Sequence, residues 1–276
     1  MNQGPVPTAH LFAPLHVELM ALLRGLSDED WLRPTPVPEW RVRDVAAHLL
    51  DGDLRKLAVV RDAHFPPPPD DPLEGYEDLV RYLDGLNAQW LRAAERLSPR
   101  LIVELLDVTG PAVSALVESL DPHEPAPFAV AWAGEEASPN WMDVGRDYTE
   151  RWHHQQQIRA AVGARELLVP PWIHPLMELS VRALPRAYAR LEAPGGTAVE
   201  LEIPGVGTWT VERREEAWSV APGAVPAPDC AVVADPATVW RLLFNALDVA
   251  AARERLQVTG DAALAEPLLH ARAVMA

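Results

Sequence analysis

The spacing of hydrophobic residues divides the chain into two parts. Over the first part, up to about residue 165, apolar residues recur every three to four positions, the period of one face of an α-helix. From about residue 198 onward, hydrophobic and polar residues alternate in AVELEIP, GTWTVERR and AWSVAP, which indicates β-strands. The pattern therefore predicts a helical bundle over residues 1–165 and a small α+β domain over residues 166–276.

Five apolar stripes predict the helices of the bundle. The first helix begins near Pro14 and the second spans about 43–62. The third begins near Tyr76, the fourth spans about 99–120 and the fifth spans 141–162. PPPPD at 66–70 predicts an extended break, and the Pro-rich stretch 121–140 predicts a loop. In the second part we expect a helix over about 174–191, an antiparallel sheet, a helix from Asp235 through Leu243, and a final strand, turn and helix.

Composition excludes several classes of partner. The chain carries a net charge of −16, so phosphate backbones would repel it and nucleic acid is not an expected partner. No apolar run reaches the roughly 20 residues that span a bilayer, and the first residues lack the features of a signal peptide. The single cysteine, Cys230, excludes an intrachain disulfide. We expect a cytoplasmic monomer or homodimer without a membrane partner.

Three residues carry the chemistry that the sequence suggests. Glu150 and His154 are four positions apart in a predicted helix, so their side chains share one helical face. His48 lies in a second, largely apolar helix. Two imidazoles and a carboxylate make a three-ligand site that leaves a coordination position open, as catalytic metal sites do. The alternatives are a solvated Glu–His surface pair and a hydrogen-bonded histidine without a catalytic role.

A family resemblance supports the metal interpretation. TPVPEWRVRDVAAHLL and the Glu150-x-x-x-His154 spacing resemble motifs of the DinB/YfiT-like metalloenzyme superfamily, and more narrowly those of the mycothiol-dependent maleylpyruvate isomerase family. The resemblance implies that His48, Glu150 and His154 are metal ligands. VTGD before the last helix resembles the sterol-carrier-like domain that accompanies many members, where it either buttresses the bundle or shapes the substrate site.

The resemblance also implies the cofactors and the activity. It favours zinc, with nickel or manganese as alternatives, although two histidines and a carboxylate also match non-haem iron. It implies an external low-molecular-weight thiol, mycothiol or bacillithiol, because Cys230 lies outside the bundle. The expected function is a thiol-dependent isomerase or S-transferase acting on small electrophilic substrates. A metal-dependent hydrolase that uses bound water and a non-catalytic protein that binds an apolar ligand remain alternatives.

Further polar residues are candidates for binding and for orienting the ligands. Arg81 and Asn87, on the third predicted helix, could bind the thiol cofactor or an acidic substrate, because guanidinium groups bind carboxylates in pairs of hydrogen bonds. The alternative for Arg81 is an ordinary exposed arginine. Asp147, one turn before Glu150, is a candidate for orienting a metal ligand.

Overall fold

The computed structural model describes residues 4–66, 68–69, 72–215 and 217–274 and divides the chain into two compact units. The N-terminal unit consists of Pro7–Ala129 and Ala137–Glu166. The C-terminal unit consists of Met1–Val6, Val130–Glu136 and Leu167–Ala276. The short segment Val130–Glu136 thus belongs to the C-terminal unit, although the residues on both sides of it belong to the N-terminal unit.

The N-terminal unit is helical, as the apolar stripes predict. Its long helices are α1 (Phe12–Arg24), α2 (Val42–Lys56), α3 (Tyr76–Ala94), α4 (Pro99–Ser119) and α5 (Asn140–Val162). A wider π-helical turn, Leu57–Arg61, continues α2, so the predicted helix over 43–62 changes its hydrogen bonding in its last turn. The predicted break at 66–70 lies partly outside the described residues.

Local sequence signals explain where α4 and α5 begin and end. The Ser98 side chain caps α4 by accepting a hydrogen bond from the Leu101 amide at 3.2 Å, and Pro99 occupies the first turn, where no amide hydrogen is needed. Helix α5 ends at Gly163, whose φ of 68° is the left-handed conformation that glycine adopts without strain. These signals set where α4 starts and where α5, the helix that carries two of the predicted ligands, stops.

The core of the N-terminal unit forms around α2, which contacts α3, α4 and α5. Burial of apolar side chains from these helices supplies the main driving force for packing them together. The buried apolar cluster includes Leu19, Leu23, Trp31, Val42, Val45, Leu50, Ile102, Leu106 and Ile158. Because α2 and α5 pack against each other, polar residues on their facing sides are brought together.

The C-terminal unit is a mixed sheet with short helices. The elements are α6 (Pro170–Ser180), α7 (Leu184–Tyr188), β1 (Ala198–Ile203), β2 (Gly207–Arg214), β3 (Ala217–Pro222), β4 (Cys230–Val233), α8 (Pro236–Leu243), α9 (Val249–Arg253), β5 (Gln257–Gly260) and α10 (Glu266–Leu269). The fold class expected from the sequence, a helical bundle followed by an α+β domain, is confirmed.

Two details of the C-terminal unit add to or correct the sequence predictions. The three alternating strands β1, β2 and β3 pair in antiparallel fashion, as expected. β4 pairs with β1 in parallel, so the whole sheet, of strand order β3-β2-β1-β4-β5, is mixed. After β3 the chain crosses the sheet, and β4 pairs with the free edge of β1. The alternation of residues within a strand does not predict which strand it pairs with. The helix expected over 174–191 is two helices joined by a 3₁₀ turn, Val181–Ala183, because Pro185 has no amide hydrogen to continue the α-helical bonding.

Over the described residues, the helices are all too short or too polar to cross a membrane.

Candidate metal site

His48 is positioned by the start of α2 and by its apolar face. The Asp44 carboxylate accepts a hydrogen bond from the Arg41 amide at 2.8 Å, and so fixes the first turn. Val45 and Leu49 are buried on the same helix. His48 is half-buried, and its Nδ1 is a buried atom with no hydrogen-bond partner among the described residues. Burial, with a smaller effect from nearby His154, holds the pKa of His48 well below its usual value, so the ring is neutral.

Helix α5 brings the other two predicted ligands to His48. The ring centroids of His48 and His154 are 4.6 Å apart and the rings meet edge to face. On the same helix, His154 Nε2 lies 3.5 Å from Glu150 Oε2. The Glu150 side chain is 30% exposed and that of His154 is 11% exposed, so the cluster lies at the edge of the protein interior.

Trp40 covers both imidazoles from the loop that precedes α2. Its ring centroid is 5.1 Å from that of His48 and 6.4 Å from that of His154, and it stacks on His154 at an interplanar angle of 23°. The Thr35 amide and hydroxyl both donate to the Trp40 carbonyl at 2.9 Å, which closes the loop. Glu39 turns the chain with a φ of 67°, a conformation that is uncommon for a residue other than glycine.

Gln157 joins His154 to its neighbour His153. The Gln157 Oε1 lies 2.8 Å from His154 Nδ1, and the Gln157 Nε2 lies 2.7 Å from His153 Nε2. Gln157 and His153 are both buried. An amide oxygen can only accept and an amide nitrogen can only donate, so His154 donates from Nδ1 and His153 accepts at Nε2. Burial, with a smaller effect from His154, also lowers the pKa of His153 well below its usual value.

The three predicted ligands are therefore neighbours, but their donor atoms do not already surround a single point. Among the residues that the structure describes, no group of three or more His, Cys, Asp or Glu side chains is placed to hold a metal ion. The assignment of His48, Glu150 and His154 as ligands stays a prediction at this stage.

The other predicted residues lie on α3 or in ion pairs. Arg81 is exposed and pairs with Asp78 on its own helix. Asn87 is half-buried on α3, three positions before Trp90. The Trp90 indole donates to the Ala47 carbonyl at 2.8 Å, next to His48. This end of α3 thus approaches the histidine cluster, and the roles of Arg81 and Asn87 in binding stay predictions.

Asp147 belongs to a buried group of charges. Lys56 Nζ lies 2.6 Å from Asp143 Oδ2 and 2.8 Å from Asp147 Oδ2, and Arg146 also pairs with both aspartates. Burial opposes ionisation of Asp147, but the charges of Lys56 and Arg146 outweigh it and lower its pKa to about 2. Asp147 is bound to these cations, and its predicted role in orienting a metal ligand stays a prediction.

The sequence analysis missed Gln157 and did not assign Trp40 to the site. The sequence held one signal for the glutamine, which is that Gln155, Gln156 and Gln157 are consecutive amides directly after the two histidines. In the structure all three are buried on α5. Buried amides require partners, and position 157 lies three and four residues after the two histidines. Trp40 had no such signal, because its approach to the rings depends on how its loop closes.

A cavity elsewhere in the N-terminal unit does not compete with this cluster. An open depression of about 420 Å³ is lined by residues of α1, of α4 and of the segment that follows α1, among them Arg24, Trp31 and Arg100. Its arginines are already paired, Arg24 with Asp107 and Arg100 with Glu104. It contains none of the three predicted ligands, so the candidate chemistry and this opening are in different places.

The chain is thus a two-unit protein, with a helical unit that carries a His–His–Glu cluster and a mixed α+β unit after it. Comparison with known families identifies both units. Residues 12–159 match the family described as mycothiol maleylpyruvate isomerase N-terminal domain, and residues 178–269 match the SCP-2 sterol transfer family. The first match covers more than half of the chain. The chain belongs to the mycothiol maleylpyruvate isomerase N-terminal domain family.

Solved structures share the fold over nearly the whole chain. A crystal structure of a histidine-to-alanine mutant of the mycothiol-dependent maleylpyruvate isomerase aligns with a TM-score of 0.55 at 10% identity, covering 94% of this chain and 96% of that one. A second crystal structure of the mycothiol-dependent maleylpyruvate isomerase gives a TM-score of 0.54 at 12% identity, covering 88% and 91%. No curated protein matches the sequence. At such identities the likeness establishes the fold.

Proposed function

We propose that this protein is a metal- and thiol-dependent isomerase of small electrophilic substrates, with a divalent ion held by His48, Glu150 and His154. The observation that carries the proposal is the meeting of His154 Nε2 and Glu150 Oε2 at 3.5 Å. Family membership and the shared fold with mycothiol-dependent maleylpyruvate isomerase support the reaction class.

The donor atoms fit a divalent cation. Because His154 donates from Nδ1 to Gln157, a neutral ring presents the Nε2 electron pair to the Glu150 carboxylate. Two acceptors in contact repel each other unless a cation, either a proton or a metal ion, lies between them. The His48 ring, whose centroid lies 4.6 Å from that of His154, has a buried Nδ1 with no partner among the described residues, and it is the third group of the proposed set. One proton serves only two of these groups, whereas a metal ion serves all three, and zinc binds this donor set in catalytic sites.

Bound there, a divalent ion supplies Lewis acidity, which favours the deprotonated form of a thiol. The chain supplies the surroundings. Trp40 covers one side of the two imidazoles and limits the access of water, while the partly exposed Glu150 leaves the other side open to small molecules. The only thiol of the chain, Cys230, is buried in the C-terminal unit, and burial raises its pKa. The reacting thiol therefore comes from outside.

The expected reaction conserves the thiol. The thiolate sulfur adds to one carbon of an activated cis alkene, and the π electrons move toward the conjugated carbonyl group. Rotation then occurs about the carbon–carbon bond, which is now single. Breaking the carbon–sulfur bond returns the electron pair to sulfur and restores the alkene in its trans form. No oxidant or reductant is consumed, so a catalytic amount of mycothiol or another small thiol suffices.

Metal analysis combined with an isomerisation assay tests the proposal. We expect about one zinc ion per chain, and turnover of a cis activated alkene such as maleylpyruvate only when a small thiol is added. His48→Ala and His154→Ala should each weaken zinc binding more than about 100-fold, beyond the 10–100-fold typical of residues that only support a ligand. Unchanged zinc content in both variants would contradict the ligand assignment.

The chain contains a matched control for the Glu–His spacing. Glu266 and His270 are also four residues apart, with His270 Nε2 at 3.2 Å from Glu266 Oε1, but both side chains are exposed and pair with no second histidine in the described residues. His270→Ala should retain full zinc content and activity. Hydrolysis of a substrate without added thiol, abolished by a chelator, would favour a hydrolase and contradict the proposed isomerase.

A further inference from the structure

Gln157 is the one described side chain that contacts both His153 and His154 through hydrogen bonds. It lies on α5, is buried, and uses both ends of its amide, with the oxygen 2.8 Å from His154 Nδ1 and the nitrogen 2.7 Å from His153 Nε2. Both contacts have the length of good hydrogen bonds. A buried amide that bonds to an imidazole at each end has little freedom to turn over. Reversal would place the amide nitrogen against the N–H of His154 and the amide oxygen against the lone pair of His153, unless both rings also moved their protons.

The direction of this amide determines where the His154 ring carries its proton. With the Gln157 oxygen at Nδ1, that nitrogen keeps its proton and Nε2 keeps a free electron pair. The free Nε2 is the atom that faces Glu150. If the proton moved to Nε2, it would bond to the Glu150 carboxylate, and that nitrogen would no longer be available as a ligand.

We infer that Gln157 is a positioning residue of the cluster: it holds His154 as the Nδ1–H tautomer and thereby keeps the Nε2 electron pair beside Glu150. The tautomer itself is a property of the metal-free protein, and only its effect on metal affinity rests on the proposed function. Hydrogen-bonding partners of this kind fix ring orientation and tautomer in metal sites generally, and their loss typically costs about 10–100-fold in affinity.

Three variants separate this role from simple packing. Gln157→Leu keeps the approximate volume and removes both hydrogen bonds. Gln157→Glu keeps an acceptor oxygen for His154 Nδ1–H but removes the amide donor to His153. Gln155→Leu is the matched control: Gln155 is equally buried on α5, but it bonds to the Leu15 carbonyl and to Arg159, and not to an imidazole.

The first measurement is ¹⁵N NMR of the histidine rings in the metal-free protein, at a pH of about 8, where an ordinary imidazole is neutral. We expect the proton of His154 on Nδ1 in the unaltered chain, in Gln157→Glu and in Gln155→Leu. In Gln157→Leu we expect it on Nε2, where Glu150 accepts it. An Nε2–H tautomer in the unaltered chain, or an unchanged Nδ1–H tautomer in Gln157→Leu, would overturn the inference.

The second measurement is zinc affinity by competition with a chelator, with thermal unfolding as a check of folding. Gln157→Leu should bind zinc about 10–100-fold more weakly, while Gln157→Glu restores the affinity and Gln155→Leu leaves it within about threefold. If Gln157→Leu and Gln155→Leu lost zinc affinity equally, the loss would follow from removing any buried amide on α5. That result would overturn the positioning role of Gln157. If neither the unaltered protein nor any variant bound zinc, the proposed function would fail. The NMR measurement in the metal-free protein would still decide whether Gln157 fixes the tautomer of His154.

Discussion

Lys56 is the only lysine of the chain, and its ammonium group lies between two aspartates of α5. All three side chains are largely or fully buried, so their charges cannot be solvated by water and depend on one another. The same residues tie the end of α2 to the first turns of α5, within two turns of Glu150. At the scale of single residues, breaking this buried ion group should therefore cost stability.

Removing the lysine should cost much of that stability. We expect Lys56→Met to lower the free energy of unfolding by about 3 kcal/mol, near the low end of the 3–5 kcal/mol range for breaking a buried ion pair, because Arg146 still neutralises part of the charge. Urea unfolding measures the change. Arg100→Met, which removes the exposed pair with Glu104, should cost less than about 1 kcal/mol. Equal effects would show that burial does not distinguish the two pairs.

At the scale of elements, close packing of α1 on α4 depends on a glycine. A Cβ atom added at Gly110 would lie 2.1 Å from Cε1 of His16 on α1, so the imidazole occupies space that any other residue would fill. A Cβ atom added at Gly85 on α3, in contrast, would meet no atom of the described residues within 4 Å. Of these two glycines, only Gly110 is required for the packing of α1 on α4.

Substituting the two glycines should change stability in opposite directions. Gly85→Ala should raise the free energy of unfolding by about 0.5–1 kcal/mol, because alanine is the better helix former. Gly110→Ala should lower it by about 1 kcal/mol or more, because the His16 ring must leave its place and overpacking outweighs the gain in helix propensity. Thermal and urea unfolding of both variants measure the difference. A stabilised Gly110→Ala would mean that His16 moves at no cost.

The elements differ in how far the sequence predicts them. The sequence predicts α4 over about 99–120 and the helix spans Pro99–Ser119, because Ser98 and Pro99 mark its start locally. The parallel pairing of β1 with β4 was not predictable, since alternation identifies strands and not their neighbours. The site shows the same division. The approach of Glu150 to His154 follows from helical spacing, whereas the approach of His48 depends on how α2 packs against α5.

At the scale of the whole molecule, the buried charges make stability depend on pH. The folded state lowers the pKa of Asp147 to about 2, below the ordinary value of about 3.9 for aspartate. A carboxylate with a lowered pKa stabilises the fold fully above its unfolded pKa, and this stabilisation is lost as the pH falls through the folded pKa. Asp51 has the opposite shift: burial raises its pKa, although nearby Arg55 opposes the effect.

Two asparagine variants should therefore respond differently to acid. Asp147→Asn should be clearly less stable than the unaltered protein at pH 7, and the difference should shrink as the pH is lowered from about 4 toward 2. Asp51→Asn should not lose stability at pH 7, because ionised Asp51 is disfavoured by burial. Urea unfolding at several pH values gives both profiles. A constant difference for Asp147→Asn across the range would contradict the assigned shift.

The division into two units predicts where one buried tryptophan acts. Trp132 is buried in the segment Val130–Glu136, which belongs to the C-terminal unit together with the sheet. Trp132→Ala should destabilise that unit by about 3–5 kcal/mol, as expected for removing a large buried aromatic side chain. Hydrogen exchange measures it: protection should fall more in β1 and β2 than in α4. The reverse order would contradict this division, and would instead favour the predicted domains 1–165 and 166–276, which place the segment with the bundle.

The inserted segment also has a consequence for synthesis of the chain on the ribosome. The Ala131 carbonyl accepts a hydrogen bond from Arg186, about fifty residues later in the sequence, at 2.6 Å. At roughly 5–20 residues per second, Trp132 emerges several seconds before the residues that cover it. During that interval Trp132 has been synthesised, but the rest of the unit in which it is buried has not. The second unit therefore cannot finish folding from its contiguous residues 167–276 alone, because it also needs a segment that is synthesised together with the first unit.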